Sequence, residues 1–255
     1  MLPEEAGKLL WESAQQGMYY PYALQGRLTM EQAYKVQLDV LDRRLAGGET
    51  QAGWKIGLTA DAVRAVFKST TAVYGYLLQA NGEESNHEFD IEQVLTPSLE
   101  SELCFIFAKD VHGPGITPEQ VAESIGAVCP AFEIIERRGD MAADLPLGVA
   151  DNVSQWAYVV GNPLRPYPRN LDLGNVRLEL KRNGETVATG MGRDVIDNQL
   201  RSMAWLANNL AAQGKWIEAG QLVLSGSFNK PLPIGKGERW EASFSGVGNV
   251  KCRFA

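Results

Sequence analysis

The chain has 255 residues, of which 45% are hydrophobic and 22% charged, a composition typical of a globular protein. Its formal net charge of −7 argues against nucleic acid and anionic membranes as partners, because both bind basic surfaces. The sequence contains no apolar run of transmembrane length and no signal-peptide pattern. Cys104, Cys129 and Cys252 lie in apolar, strand-like contexts, which predicts buried free thiols and a cytoplasmic protein.

In chain order, the hydrophobic periodicity predicts helices over 4–17 and 29–46, a strand over 51–58 and a short helix over 61–67. Thr29 suits the N-cap of the second helix. From residue 72 onward short strands dominate, interrupted by one long helix over 195–213 with Asp194 as its expected cap. The strands are predicted over 76–79, 99–109, 127–136, 155–160, 174–181, 185–190, 221–225, 238–244 and 248–254.

Strands without regularly alternating helices indicate an α+β fold with a largely β core. Asn183-Gly184 predicts a tight hairpin between two of these strands. We expect residues 1–70 to form an N-terminal helical cap region and residues 71–255 a β-rich catalytic domain. The alternative is that both form one compact unit.

Two glutamates, Glu100 and Glu102, interrupt the strongly strand-forming run 99–109. Residues i and i+2 of a strand share a face, so both carboxylates point the same way as the apolar Cys104. Adjacent buried carboxylates repel each other and lose hydration, a cost that a divalent cation offsets. Oxygen ligands favour a hard ion such as Mg²⁺, Mn²⁺ or Ca²⁺.

A third carboxylate, Glu133, is the lone charge in the apolar run 127–135. Taken singly, each glutamate has an ordinary explanation: a solvated edge strand for the first two, or an ion pair of Glu133 with Arg137 or Arg138. Taken together, Glu100, Glu102 and Glu133 predict a metal site.

Further candidate residues lie in three short segments. Lys55, in the glycine-flanked run 53–59, predicts a buried cation that acts as a base or carboxylate clamp; the alternative is a lysine that extends to solvent along a strand face. Asp151 and Ser154 form either a simple turn or a carboxylate–hydroxyl pair in a cleft. Ser227 ends a strand in a loop suited to binding an oxyanion.

Several of these segments together resemble the 2-keto-4-pentenoate hydratase and 4-oxalocrotonate decarboxylase branch of the fumarylacetoacetate hydrolase superfamily. The resemblance covers nearly the whole chain in order. It runs through Trp54-Lys-Ile-Gly-Leu-Thr59, Glu100-Ser-Glu102, Pro130-Ala-Phe-Glu133, Asp151-Asn-Val-Ser154, 219–228 and 248–254.

The resemblance implies a mixed β-roll or sandwich core that holds Mg²⁺ or Mn²⁺ on Glu100, Glu102 and Glu133. It implies a metal-dependent lyase that adds water to a 2-hydroxy-2,4-dienoate from aromatic catabolism and gives a 4-hydroxy-2-oxo acid. It assigns Lys55 to the substrate carboxylate or enolate. Asp151 and Ser154 are assigned to proton or water handling and Ser227 to substrate binding. A homo-oligomer and an associated pathway enzyme are implied as partners.

One departure leaves the reaction open. The family usually has an acidic residue just before the position of Tyr74-Gly75, where this chain has Ala72 and Val73, and Asp61 is an alternative source of that acid. A 2-oxo acid decarboxylase, a C–C hydrolase and a non-catalytic pathway partner are therefore alternatives. The hydrolase requires a catalytic histidine, and this chain has only His87 and His112.

Overall fold

A computed structural model describes residues 1–163, 165–195 and 198–255. Within those ranges the chain forms two β-sheets with helices packed around them. The helices are α1 (Pro3–Gln15), α2 (Met30–Ala46), α3 (Asp61–Val66), α4 (Pro118–Ser124), α5 (Leu145–Ala150) and α6 (Gln199–Ala211). The strands are β1 (Gln51–Gly57), β2 (Val73–Leu78), β3 (Gly82–Glu84), β4 (His87–Phe89), β5 (Pro97–Phe107), β6 (Ile125–Glu136), β7 (Gln155–Val160), β8 (Arg177–Arg182), β9 (Glu185–Met191), β10 (Leu222–Ser227), β11 (Leu232–Pro233), β12 (Arg239–Phe244) and β13 (Gly248–Phe254).

The larger sheet carries the site. Its strand order is β2-β1-β10-β5-β6-β7-β3, and the short β11 pairs with the first residues of β5. Strands β1 and β10 are parallel, as are β3 and β7, whereas the other neighbours are antiparallel. The sheet therefore brings an early strand, β1, next to a late one, β10, with the glutamate-bearing strands beside them.

The smaller sheet has the order β4-β13-β12-β8-β9 and packs against the larger one. Phe105 and Phe132 of the larger sheet share one buried cluster with Trp240 and Phe254 of the smaller sheet. A second cluster joins α1 and α2 to α5 and to the edge strand β2, through Leu10, Val36, Leu147 and Val73 among others. The N-terminal helices thus cover the edge of the larger sheet.

Most local sequence signals are confirmed. Thr29 caps α2, since its hydroxyl accepts from Gln32 N–H at 3.2 Å. Asn183 and Gly184 adopt φ values of 53° and 88°, the left-handed conformations that a tight hairpin requires. Cys104, Cys129 and Cys252 are buried free thiols.

The beginning of the long helix was predicted wrongly. Helix α6 begins at Gln199, and Asn198 caps it by accepting from Arg201 N–H at 3.1 Å. Asp194 instead accepts from Met191 N–H in the short 192–194 turn. Residues 196 and 197 of the predicted helix lie outside the described residues. The sequence also failed to indicate β3, β4, β11, α4 and α5, all short elements.

The division into residues 1–70 and 71–255 stays a prediction. Strand β1 belongs to the first range, yet it is hydrogen-bonded to β2 on one side and to β10 on the other. Among the described residues, no helix combines the length and the apolar character needed to cross a membrane.

Candidate active site

Three carboxylates meet on one face of the larger sheet. Glu100 and Glu102 alternate along β5, and Glu133 of β6 lies directly opposite Glu100 in the antiparallel register. One carboxylate oxygen from each residue lies within 4.8 Å of the others. Glu102 is 1% exposed and Glu133 fully buried, so the cluster lies at the inner end of a cavity rather than on a solvated edge.

The electrostatics of the cluster favour a bound cation. Burial, followed by the charge of Glu133, raises the pKa of Glu100 to about 8 and raises the pKa of Glu102 well above its usual value. Neither Glu133 oxygen forms a hydrogen bond of good geometry within the described ranges of the chain. Three carboxyl groups whose ionisation is disfavoured by burial and mutual repulsion fit a hard divalent cation, which would stabilise their charged form.

Gly226 provides the backbone contact that orients Glu102. Its N–H donates to Glu102 Oε2 at 2.8 Å, at the irregularity of β10 between Leu224 and Ser227. Its φ is 114°, and a Cβ there would lie 2.5 Å from Thr59 Cγ2. Only glycine suits this position without rearrangement.

Lys55 of β1 is buried beside the carboxylates, and the alternative of a lysine reaching solvent is wrong. Its side chain is 2% exposed, and Nζ lies 2.9 Å from Glu133 Oε1. Nζ also donates to the carbonyl of Val153 at 3.0 Å. A buried ammonium needs such partners because desolvation disfavours its charge.

The segment Asn152–Ser154 is a left-handed turn that approaches this ammonium. Asn152, Val153 and Ser154 have φ values of 57°, 52° and 60°. The conformation costs an L-residue about 1–2 kcal/mol, and it is unusual for a β-branched side chain. Such strain persists only where surrounding contacts determine it, and it is common at functional sites.

Asp151 is not brought to the carboxylate cluster. Its Oδ2 accepts from Arg138 Nε at 2.7 Å, and it lines a separate cavity with Tyr19 and Trp156. Burial raises the pKa of Asp151, and Arg138 opposes this effect. Arg138 is held further by Glu136 at 2.9 Å.

Arg138 also binds both ends of the left-handed turn. Its Nη2 donates to the carbonyl of Asp151 at 2.8 Å and its Nη1 to that of Gln155 at 3.2 Å. The alternative in which Glu133 pairs with Arg138 is wrong, because the guanidinium binds Glu136 and Asp151 instead. The contacts of Asp151 are those of a residue that supports the turn.

Ser227 lies at the cavity that opens onto the cluster. This cavity, about 160 Å³ in volume, is also lined by Glu100 and Glu102. The Ser227 hydroxyl donates to the carbonyl of Asn229 at 2.7 Å, which closes a small loop after β10. Other lining residues are Gly57, Leu58, Thr59, Ala60, Val63, Asp194 and Lys230.

No acidic replacement for the missing family residue lies at the expected position. Ala72 and Val73 are buried, and Val73 packs with Val153 in one apolar cluster. The Asp61 side chain is 95% exposed and pairs with Arg64. The suggestion that Asp61 supplies the acid therefore lacks structural support.

The histidines lie outside the site. His112 is exposed and sits beside Trp216, and His87 pairs with Glu83 at 3.0 Å. Neither lines the cavity at Glu100. The geometry disfavours the C–C hydrolase alternative.

Sequence reasoning missed the buried amides around the turn. Gln37 Nε2 donates to the carbonyls of Tyr74 and Val149, and the amide of Asn152 binds the backbone of Tyr76. The signal available for Gln37 was a glutamine on the apolar face of an amphipathic helix. Asn152 lay within a recognised motif, but nothing local indicates which backbone it binds.

Comparison with known proteins identifies the family to which this fold belongs. The family model described as Fumarylacetoacetate (FAA) hydrolase C-terminal matches residues 74–255. The chain is 34% identical over 235 residues to the 2-oxo-hept-4-ene-1,7-dioate hydratase of Escherichia coli. That alignment covers 89% of this chain and 87% of the relative. The chain is 31% identical over 257 residues to the 2-keto-4-pentenoate hydratase of Paraburkholderia xenovorans (strain LB400), covering 98% and 94%.

A solved structure extends the likeness to a decarboxylase. The 4-oxalocrotonate decarboxylase from Pseudomonas putida G7, complexed with magnesium and adipate, superposes with a TM-score of 0.92 at 27% identity, over 99% of this chain and 97% of that chain. The α+β fold, the branch and the lyase class predicted from the sequence are confirmed, and the predicted hydratase activity with its decarboxylase alternative is that of the relatives. The chain therefore belongs to the fumarylacetoacetate hydrolase family.

Proposed function

We propose that this protein is a divalent-metal-dependent hydratase that adds water to a 2-hydroxy-2,4-dienoate and releases a 4-hydroxy-2-oxo acid. The observation that carries the proposal is the three-carboxylate cluster with Lys55 beside it at the inner end of a cavity. The names of the hydratase relatives support the reaction. Glu100, Glu102 and Glu133 would hold Mg²⁺ or Mn²⁺, and the ion supplies charge stabilisation for a developing enolate.

Lys55 is the residue we assign to the substrate anion. Its ammonium is already desolvated and fixed by two oxygen partners, so little reorganisation is needed when an anion arrives. It would bind the C1 carboxylate or the C2 oxygen of the substrate. The contact with the C2 oxygen would strengthen when the C2 hydroxyl loses its proton and its oxygen becomes an enolate oxygen.

Proton and water handling is assigned to the turn beside Lys55. Ketonisation moves the proton of the C2 hydroxyl to the terminal carbon and gives an enone, and water then adds with its oxygen at C4 and a proton at C3. Ser154 directly follows the carbonyl that holds Lys55. We propose that its hydroxyl relays a proton and that Ser227, which lines the cavity with Glu100 and Glu102, binds the substrate.

The decarboxylase alternative retains one specific argument. An electron sink at C2 suffices for loss of carbon dioxide, and the family resemblance implies an acid just before Tyr74, where this chain has the buried, apolar Ala72 and Val73. The 4-oxalocrotonate decarboxylase superposes closely, and its structure contains magnesium and a dicarboxylate. The same scaffold therefore supports either reaction on a 2-oxo acid. A silent pathway partner would bind metal without turnover.

The activity assay separates these candidates. We expect the Mn²⁺-loaded protein to remove the absorbance of 2-hydroxypenta-2,4-dienoate with formation of 4-hydroxy-2-oxopentanoate, and EDTA to abolish the loss. Two further substrates, 2-hydroxyhepta-2,4-diene-1,7-dioate and 4-oxalocrotonate, are tested in parallel. Release of carbon dioxide is measured for 4-oxalocrotonate. Carbon dioxide release without hydration of either dienoate would instead identify a decarboxylase.

The role of Asp151 is tested separately. We expect Asp151→Asn to lower the free energy of unfolding by about 1–3 kcal/mol, because it removes one carboxylate partner of the buried Arg138. Mn²⁺ affinity should be unchanged and kcat reduced by less than about tenfold. A loss of kcat above about 10³-fold with normal thermal stability would restore Asp151 to a catalytic role.

We further propose a cytoplasmic homo-oligomer acting on a small-molecule substrate, with a pathway enzyme as an additional partner. The location is supported by the three buried free thiols, and the oligomer and the pathway partner by the family resemblance. We also propose that the bound ion is Mg²⁺ or Mn²⁺. Related structures contain magnesium, calcium or manganese.

A further inference from the structure

The left-handed turn at Asn152–Ser154 requires contacts that hold it. Three consecutive residues without glycine have positive φ, and the middle one, Val153, is β-branched. Relaxation to an ordinary conformation would redirect the Val153 carbonyl, which accepts from Lys55 Nζ at 3.0 Å. Whatever fixes the turn therefore also fixes a partner of the buried ammonium.

On the side of the larger sheet, the Asn152 side chain holds the turn. Its Nδ2 donates to the carbonyl of Tyr76 at 3.0 Å, and its Oδ1 accepts from the N–H of Tyr76 at 2.8 Å. Strand β2 is the outermost strand at this end of the sheet. The amide thus takes the position that the peptide group of another strand would occupy.

Gly75 allows this approach. A Cβ at residue 75 would lie 2.6 Å from Asn152 Oδ1 and 3.3 Å from Lys55 Cε. Gly75 is also paired with Lys55 across β1 and β2. One missing side chain leaves room for both the amide and the lysine.

These contacts form a continuous path from the sheet edge to the carboxylate cluster. The β2 backbone holds the Asn152 amide, the turn presents the Val153 carbonyl, and that carbonyl holds Lys55 Nζ 2.9 Å from Glu133 Oε1. We propose that Asn152 is a positioning residue that sets the location of the Lys55 ammonium and thereby the binding of a 2-oxo acid anion. The inference rests on the proposed function only in assigning Lys55 to the substrate anion.

The variant Asn152→Gly tests the side-chain amide separately from the backbone conformation of the turn. Glycine adopts positive φ without strain, so the turn conformation stays accessible while both side-chain hydrogen bonds are lost. Asn183→Gly is the matched control. Asn183 also has positive φ, 53°, and its Oδ1 also accepts a backbone N–H, that of Arg239 at 2.9 Å, but it lies in the β8–β9 hairpin.

The affinities for oxalate and for Mn²⁺ are measured by calorimetry, and kcat is measured by the hydratase assay. For Asn152→Gly we expect the Mn²⁺-loaded protein to bind oxalate, a probe of the 2-oxo acid class, at least about tenfold more weakly than the wild type. We expect Mn²⁺ affinity within about threefold of wild type and kcat lowered by at least about tenfold. Asn183→Gly should change none of the three.

A purely structural amide would give a different pattern. Oxalate affinity within about twofold of wild type in Asn152→Gly, or an equal loss in Asn183→Gly, would overturn the proposal. Asn152→Asp keeps the acceptor of the Tyr76 N–H and loses the donor to the Tyr76 carbonyl, and it decides the question if Asn152→Gly does not fold. Should the wild type hydrate no dienoate, the proposed function fails, whereas the oxalate comparison still tests the inference.

Discussion

Replacement of Glu102 by glutamine is expected to remove metal binding and activity without weakening the metal-free fold. The amide is nearly isosteric, and its oxygen still accepts the Gly226 N–H that Glu102 accepts at 2.8 Å. The substitution removes a carboxyl whose ionisation is already disfavoured, because burial and then the charges of Glu133 and Glu100 raise the pKa of Glu102. The metal-free variant should therefore unfold at the same temperature as the wild type or a few degrees higher.

The same substitution removes an anionic ligand of a hard cation. We expect Mn²⁺ affinity to fall at least about 100-fold and kcat/KM about 10³-fold, equivalent to about 4 kcal/mol of lost transition-state stabilisation. Calorimetric titration with Mn²⁺ and thermal unfolding with and without the ion measure both effects. Mn²⁺ should no longer raise the melting temperature.

Glu136→Gln is the matched control for Glu102→Gln. Glu136 is also buried and lies on the same strand as Glu133, but its carboxylate binds Arg138 at 2.9 Å and the N–H of Leu95 at 2.9 Å. Its loss should lower the melting temperature and leave Mn²⁺ affinity unchanged. If Glu102→Gln retained wild-type Mn²⁺ affinity, the three-carboxylate metal site would be wrong.

Replacement of Lys55 by methionine is expected to lower activity strongly and to raise metal affinity. The ammonium lies 2.9 Å from Glu133 Oε1 and competes with a cation for that carboxylate. Its removal leaves Glu133 buried without a compensating cation, which destabilises the metal-free protein by about 3–5 kcal/mol. Mn²⁺ should restore more stability to the variant than it adds to the wild type.

The activity effect of Lys55→Met follows from its proposed contact with the substrate. We expect kcat/KM to fall by about 10²–10³-fold, the loss typical of one preorganised electrostatic contact. Lys251→Met, which removes a half-exposed surface lysine paired with Glu241, should affect neither quantity. Weaker Mn²⁺ binding in Lys55→Met would contradict the competition between ammonium and metal.

The strand period alone predicted part of this site. It placed Glu100 and Glu102 on one face, because residues two apart in a strand share a face. It could not predict that Glu133 lies opposite Glu100, since strand register is set by contacts distant in sequence. The turn signal Asn183-Gly184 and the cap Thr29 were predictable because their hydrogen bonds are local.

The environment of Asp151 is set by a residue that its local sequence does not indicate. The local sequence around Asp151 is compatible with a turn residue or with a cleft residue, but Arg138, thirteen residues earlier, binds it at 2.7 Å. The role of the buried Asn152 amide could not be predicted from local sequence either, because its partner Tyr76 lies 76 residues away. Long-range hydrogen bonds decide which polar residues face the cavity.

The parallel pairing of β1 with β10 has a consequence for synthesis on the ribosome. Trp54 and Gln221, 167 residues apart, are joined by a hydrogen bond of 3.1 Å, and Lys55 shares this junction. Pairings this distant form slowly, and here one partner strand is made long after the other. The nascent chain therefore carries its glutamates long before Gly226 arrives to orient Glu102. The complete cluster is available to a cation only after Gly226 has been made and β10 has joined the sheet.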